Sequence, residues 1–144
     1  MFREICTLIS DRTGWAIGTM LQAGRRIQTA PVRCALVQES GGATTFWPNE
    51  DMIDAGIQIL NRSASYTEAR NDAWHAFRAL HGTCGWNMPR LDGAPGDEDY
   101  LVSTVEALAS PQYLGEDDNR RHLFSTNYIF RVQDGSCAEP TSGS

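Results

Sequence analysis

Two different hydrophobic periods alternate along this chain of 144 residues. The first dozen residues carry apolar positions at helical spacing, which predicts a short amphipathic helix with one apolar stripe: Phe2, Ile5, Leu8 and Ile9. Gly14 and Gly18 follow this stripe, and glycine is common where a helix stops. The chain is therefore expected to begin with a short helix that ends at these glycines.

Other segments follow the period of two that is typical of strands. Residues 19–25 and 32–38 are expected to be two strands joined as a hairpin, because Pro31 between them suits a turn better than a central strand. Three further segments alternate apolar and polar residues or are otherwise strand-like: 52–59, 100–107 and 124–132. The last of these has the cleanest alternation in the chain.

The clearest helix is predicted between Ser65 and Gly82. Ser65 is a suitable N-cap with Glu68 three residues later, which forms a capping box, and Gly82 stands where a left-handed C-cap belongs. One apolar stripe runs along the helix, with Trp74 on its flank: Tyr66, Ala69, Ala73, Phe77 and Leu80. This helix is expected to pack on a sheet.

Strands that occur in runs, with only two helices, predict an α+β fold with a mainly antiparallel sheet and two helices packed on one face. Residues 1–133 are expected to form a single domain, and 134–144 a C-terminal extension without apolar periodicity. Phe77 is assigned to the core, so Phe77→Ala is expected to lower the free energy of unfolding by about 3 to 5 kcal/mol. The predicted core comprises Ile5, Leu8, Ile9, Leu36, Ile57, Ile59, Ala73, Phe77, Leu80, Val102, Phe124, Tyr128 and Phe130.

The balance of charges argues against a nucleic-acid grip. The chain has 12 Lys and Arg against 18 Asp and Glu, and its formal net charge is −6 at pH 7. It lacks the basic surface that binds phosphates by releasing counterions. An acidic wall would still let DNA slide past without adhering, for the same Coulombic reason.

Candidate catalytic or metal-binding residues do not combine into a site. His75 and His81 are six apart and do not share a helix face, and residues 97–99 lack the spacing of a calcium loop. Cys34 lies within a predicted strand without an evident histidine partner. The four cysteines are scattered and are expected to be small buried hydrophobes: Cys6, Cys34, Cys84 and Cys137. We expect no enzymatic activity, metal or cofactor, and an enzyme that uses His75, His81 or Cys34 is a minor alternative.

The N-terminus fails as a signal peptide, because Glu4 interrupts it and no apolar run of sufficient length follows. The sequence also has no stretch of the roughly 20 apolar residues that a membrane span needs. The expected environment is a reducing cytoplasm.

Large apolar and aromatic residues occur in segments predicted to be loops, namely 40–50, the stretch after Gly82 and 110–121. Such residues either fold back on the core or bury surface against partners, where Trp, Tyr, Phe and Met are enriched. The candidate subunit or partner contacts are Phe46, Trp47, Trp86, Met88, Tyr113 and Leu114.

Three stretches resemble the small minor capsid proteins of tailed bacteriophages that include tail-terminator, or tail-completion, proteins. Residues 21–42 are similar to the opening hairpin and Gly-Gly loop of that family, and 57–82 to its strand and its helix ending in LHG. Residues 108–130 resemble its polar turn, here LGEDDNR, and its last strand, here FSTNYIF. The resemblance covers roughly residues 5–133, close to a whole domain.

The resemblance implies a homohexameric ring that caps the head-proximal end of the tail tube, stops its polymerisation and offers a surface to the head–tail connector or stopper protein. Its partners would be further copies of itself, the tail tube protein and that connector, with DNA only passing through the lumen and no membrane involved. The protein would be part of the virion tail or neck and would be assembled in the cytoplasm of the bacterial host. A ring of identical subunits needs two different contact patches on each copy, which agrees with aromatic residues in several separate segments.

A head-closure or stopper ring, or another neck adaptor, is the alternative interpretation. These proteins would share the absence of catalytic motifs and would differ from a tail terminator in their neighbours.

Overall fold

The computed structural model describes residues 1–25, 31–40, 44–46, 49–91 and 99–134. They form two helices and eight strands, in the order α1 (Phe2–Thr13), β1 (Leu21–Ala23), β2 (Cys34–Glu39), β3 (Thr44–Phe46), β4 (Asn49–Ser63), α2 (Tyr66–Leu80), β5 (Cys84–Met88), β6 (Tyr100–Ala107), β7 (Gln112–Glu116) and β8 (His122–Asp134). None of the helices in this part of the chain is long and apolar enough to cross a membrane.

The strands form one sheet in the order β1-β2-β4-β8-β6-β5, with β3 beside β4 and β7 beside β8. Each strand pair is antiparallel except β1 with β2. Both helices lie on one face, where α2 packs over β4 and β8 and α1 packs beside α2. The predicted α+β class and its mainly antiparallel sheet are therefore confirmed.

Three of the four helix ends can be compared with their predicted signals. Gly14 adopts a left-handed conformation after α1, with φ 81°, and its N–H donates to the Ser10 carbonyl. At the start of α2 the Ser65 hydroxyl accepts a hydrogen bond from the Glu68 N–H at 3.3 Å, as predicted. The end of α2 differs from the prediction, because its C-cap is His81 in an extended conformation, and the N–H of Gly82 (φ 87°) donates to the Val105 carbonyl instead of to the helix.

The long central strands supply alternate residues to the core. Ile57 lies opposite Tyr128 and Ile59 opposite Thr126, and all four side chains point to the helix-covered face, where they are buried. Residues of α1 and the end of α2 pack onto them, as Ile5, Leu8, Ile9 and Leu80 join the same cluster. The other face of the sheet carries no helix among the described residues.

The predicted hairpin of the first two strands is wrong. β1 and β2 are parallel, with Leu21 opposite Ala35 and the Ala35 N–H donating to the Met20 carbonyl. Ten residues, 24–33, connect the two strands. The period of two fixes which face a residue occupies but does not encode the direction of its strand.

Several segments predicted to be loops are short strands. Part of 40–50 belongs to β3 and the start of β4, Trp86 and Met88 belong to β5, and Tyr113 and Leu114 belong to β7. Thr, Phe, Trp and Tyr favour strands, but three to five residues are too few to show a period. Pairing with longer neighbouring strands therefore decides their conformation.

Phe77 is a second correction, because its ring is half-buried rather than part of the core. The buried positions of α2 are Ala69, Asp72, Ala73, Ala76 and Leu80. Three of these are alanines, whose small side chains let the helix approach the sheet closely, and Phe77 lies about 100° around the helix from Ala76. The other predicted core residues are buried.

Candidate subunit interface

Four aromatic rings meet where α2 begins, at a surface that we call the aromatic corner: Tyr66, Tyr113, His122 and Phe124. The Ser65 cap places Tyr66 in the first turn of α2, and the register of β7 with β8 sets Tyr113 opposite Phe124. His122 begins β8 beside them.

The rings of the aromatic corner pack in tilted and edge-on geometry. The ring centroids of Tyr66 and Tyr113 are 5.1 Å apart at an interplanar angle of 75°, and Tyr66 is 5.4 Å from Phe124. The Tyr113 hydroxyl lies 2.8 Å from His122 Nδ1. Partial burial raises the pKa of Tyr113, and the carboxylate of Glu116 adds to this effect. Phe124 is buried, whereas Tyr66 and Tyr113 remain nearly half exposed, so two pre-ordered tyrosines face outward.

The turn from β7 to β8 is held by the side chain of Asp117. Its Oδ1 accepts hydrogen bonds from the N–H groups of Asn119 and Arg121, both at 2.9 Å. Hydrogen bonds from the backbone lower the pKa of Asp117, with Arg121 the leading donor. Arg120 completes the turn in a left-handed conformation, with φ 59°. This turn fixes β7 against β8 and thereby holds the aromatic corner in place.

Trp86 forms a separate feature on β5, the last strand in the order of the sheet. It lies in β5 and packs partly buried against the core, with the Arg12 guanidinium 5.3 Å from its ring centroid. Arg12 is held in position by a hydrogen bond from its Nε to the Ala79 carbonyl, at 3.1 Å. The Trp86 ring is therefore clamped between α1 and the sheet edge.

The outer face of α2 carries a third set of rings. Arg70 and Arg78, four residues before and after Trp74, place their guanidinium carbons 5.6 and 5.9 Å from its ring. Phe77 stacks on His81 with centroids 5.2 Å apart and an interplanar angle of 14°. This face is basic and aromatic in a chain that is acidic as a whole.

A family model described as "Bacteriophage tail terminator protein" matches residues 29–134, which run from just before β2 to the end of β8. The chain belongs to the bacteriophage tail terminator protein family. It is therefore a structural protein of a phage-type tail.

A solved structure is similar to this tail terminator family member in fold. It is a chain of the "Virion of native gene transfer agent (GTA) particle", with a TM-score of 0.53 and 13% sequence identity. The alignment covers 87% of this chain and 84% of that chain. No curated protein matches the sequence significantly.

The six predicted contact residues of this tail terminator family member do not form one site. Tyr113 and Leu114 lie together in β7, and both are exposed, while Trp86 lies at the β5 edge. Met88 is 2% exposed and packs in the core of the subunit. The backbone of Phe46 belongs to β3, and Trp47 lies outside the described residues.

Several exposed apolar residues were not predicted from the sequence. Tyr66 was assigned to the apolar stripe of α2 but is exposed. Five aliphatic side chains that were not selected are also exposed: Ile17, Val32, Leu91, Leu101 and Leu108. Leu108 directly follows the alternating residues of β6 but lies outside both the predicted and the observed strand. Ile17 and Leu91 stand alone in their segments, where no period marks them.

The histidines and cysteines considered as catalytic or metal-binding candidates can now be placed in the fold. His75 Nε2 lies 2.7 Å from the Thr13 carbonyl, and His81 Nδ1 accepts a hydrogen bond from the Ala107 N–H at 3.0 Å. Burial raises the pKa of the Cys6 thiol to about 11, and Cys34 is also buried. Cys84 is exposed, contrary to the expectation that it would be buried. Within the described ranges, no three His, Cys, Asp or Glu residues are grouped so that they could hold a metal ion.

Proposed function

We propose that this protein forms a homohexameric ring at the head-proximal end of the tail tube. The ring stops polymerisation of the tube and offers its other side to the head–tail connector or stopper protein. DNA passes through the lumen without specific contacts. The observation that carries this proposal is the family match, because it spans α2 and the sheet from β2 to β8.

The distribution of exposed rings supports an assembly of this kind. A ring of identical subunits uses two different patches on each copy, one for each neighbour, and a tail terminator needs further surface for the tube and the connector. The aromatic corner, the Trp86 edge and the outer face of α2 lie at separate positions on the subunit. Tyr, Trp and Arg are the residue types that most often anchor protein contacts.

We further propose that the protein has no catalytic activity and uses no cofactor. His75 and His81 are each occupied by a backbone partner, at Thr13 and Ala107 respectively. In the described part of the chain, these hydrogen bonds join the imidazoles to backbone groups and not to a nucleophilic side chain.

Five of the predicted contact residues remain our proposed anchors between subunits or to partners: Phe46, Trp47, Trp86, Tyr113 and Leu114. Tyr113 and Leu114 are the best supported, because both are exposed and lie on a strand fixed by the Asp117 turn. Met88 is left out, since its side chain is already buried within the subunit.

The length distribution of tails tests the proposed function. We expect particles made without this protein to contain unjoined heads and tubes that grow past the normal length, because nothing caps them. Supplying the intact chain from a plasmid should restore the normal length. Tails of normal length that fail to join heads would contradict the terminator role and would favour the head-closure alternative.

A further inference from the structure

Leu108 is the most exposed of the large apolar side chains described, at 62%. The preceding Ala107 packs against the core, and the Leu108 N–H continues the sheet by donating to the Asn127 carbonyl at 2.9 Å. Alternation along the strand therefore places Leu108 on the helix-free face, together with exposed Glu106 two residues earlier. Leu114, 55% exposed, lies along the same flank of β8. We call Glu106, Leu108 and Leu114 the leucine knob.

A groove lies between α1 and β1. Its volume is about 280 Å³, and it is lined by Arg3, Cys6, Thr7, Ile17, Ala23 and Leu91. Ile17 and Leu91 are each 48% exposed on its walls. Leu91 is anchored there, because its N–H donates to the Glu4 carboxylate at 2.9 Å. We call this feature the α1 groove.

We infer that the leucine knob of one subunit docks into the α1 groove of the next. The inference rests on the proposed ring and specifies how its neighbouring copies meet. Leu108 projects an exposed apolar side chain from the helix-free face, and the α1 groove offers the apolar side chains of Ile17 and Leu91 beside a helix. Exposed aliphatic surface of this kind is costly to leave in water and marks contact sites.

The charges of the two surfaces favour a second copy of the chain as the occupant. Glu106 places a negative charge beside Leu108, whereas Arg3 places a positive charge on the wall of the α1 groove. Opposite charges at matching ends of a contact fix its register. A contact between two different surfaces of the same chain is heterologous, so repeating it generates a closed ring or an open filament.

Cysteine cross-linking tests this contact directly. In a background with Cys6→Ala, Cys84→Ser and Cys137→Ser, which also removes the native thiol from the wall of the α1 groove, the double variant Ile17→Cys with Leu108→Cys is oxidised in solution at high concentration and on isolated tails. We expect a covalent ladder that ends at the number of subunits in the ring. Each single variant should give no cross-link, and an equimolar mixture of the two should give nothing larger than a dimer.

The matched control is Leu101→Cys paired with Ile17→Cys. Leu101 is also exposed and lies on the same strand and face as Glu106, but it is seven residues from Leu108, or roughly 23 Å along the strand. We expect no ladder from this pair. Dimers formed by Leu108→Cys alone, or an assembled ring of the double variant that does not cross-link, would overturn the inference while leaving the ring intact. A wild-type chain that assembles neither in solution nor on tails would contradict the ring itself.

Charge reversal is a second test of the proposed contact, and it does not depend on disulfide geometry. Glu106→Arg or Arg3→Glu alone should weaken association at least about tenfold, which corresponds to about 1.4 kcal/mol. The two changes together should recover most of the wild-type affinity, as measured by sedimentation. Equal and additive losses in the double variant would show that these residues do not face each other.

Discussion

Glu4 joins the first helix to a segment 87 residues further along the chain. Its carboxylate accepts a hydrogen bond from the Leu91 N–H at 2.9 Å and lies 3.2 Å from the N-terminal ammonium of Met1. The side chain is almost completely buried. Glu4→Gln should therefore destabilise the fold by about 2 kcal/mol at pH 7, because the charge-assisted bonds are lost. Urea unfolding measures this difference, and Asp11→Asn, an exposed change on the same helix, should be nearly neutral.

The same residue predicts a pH dependence. Burial alone would raise the pKa of Glu4, but the hydrogen bond from Leu91 and the N-terminal ammonium outweigh it, so the pKa is lowered on folding. Its stabilisation is therefore fully present above the unfolded pKa, about 4.3, and is lost as the pH falls through the folded value. The difference in free energy of unfolding between wild type and Glu4→Gln should shrink below this range. A difference that stays constant down to pH 3 would contradict this account.

Arg120 carries backbone strain that glycine would relieve. It is the residue other than glycine with positive φ among those described, at 59°. Arg120→Gly should raise the free energy of unfolding by about 0.5 to 1 kcal/mol, because glycine adopts this conformation without a steric cost. Arg121→Gly is the control, since Arg121 does not share the positive φ, and it should destabilise instead. A destabilised Arg120→Gly variant would show that the arginine side chain contributes more than its backbone costs.

At the scale of elements, α2 shows what a hydrophobic stripe can and cannot predict. The Ser65 cap, the end near Gly82 and the buried Ala73 and Leu80 follow from local signals. Phe77 was assigned to the same stripe by its spacing, yet the sheet contacts the neighbouring Ala76 instead. The apolar stripe that helical spacing predicts is wide enough to include both Phe77 and Ala76. Only the position of the sheet determines which of the two side chains is buried.

A pair of substitutions in α2 tests this assignment. Leu80→Ala removes a fully buried side chain and should cost about 2 to 5 kcal/mol. Phe77→Ala should cost less, about 1 to 2 kcal/mol, because its ring is only half-buried against Trp74 and His81. Urea midpoints of the two variants give the comparison. A larger loss for Phe77→Ala would contradict the observed burial.

Some strands can be predicted from their local pattern, whereas others depend on pairing with distant parts of the chain. The bounds of β6 were predicted to the residue, and β8 extends the predicted strand by two residues at each end, because both are long enough to show their period. β3, β5 and β7 were missed, since each becomes a strand by pairing with a longer neighbour. The parallel pairing of β1 with β2 was missed, because the direction in which two strands pair is a long-range property that no local pattern contains.

For the whole molecule, the sequence suggested which types of large residue could form contacts, but not which of them would be exposed. Tyr113 and Leu114 were selected as large residues in a polar segment, and both are exposed. Met88 was selected for the same reason and is buried, since its side of β5 faces the core. Leu108 and Ile17 were missed because single exposed aliphatic residues have no sequence signature.

A substitution at Leu114 should affect association between subunits without affecting the stability of the subunit. Leu114→Ser should leave the free energy of unfolding within about 0.5 kcal/mol of wild type, because the side chain is exposed in the subunit. It should weaken association by about 2 kcal/mol, or roughly thirtyfold, if the side chain is an anchor. Val32→Ser is the control, an exposed change outside the proposed contacts that should alter neither quantity. Unchanged association of Leu114→Ser would remove this residue from the interface.

The most direct test of the account is a reconstruction of the particle or tail that contains this chain. We predict six copies in one closed ring at the head-proximal end of the tube, with Leu108 of each copy against Ile17 of the next. Density for the chain at another level of the neck, away from the end of the tube, would contradict the terminator role. A closed ring joined through other surfaces would leave that role in place and contradict the proposed contact.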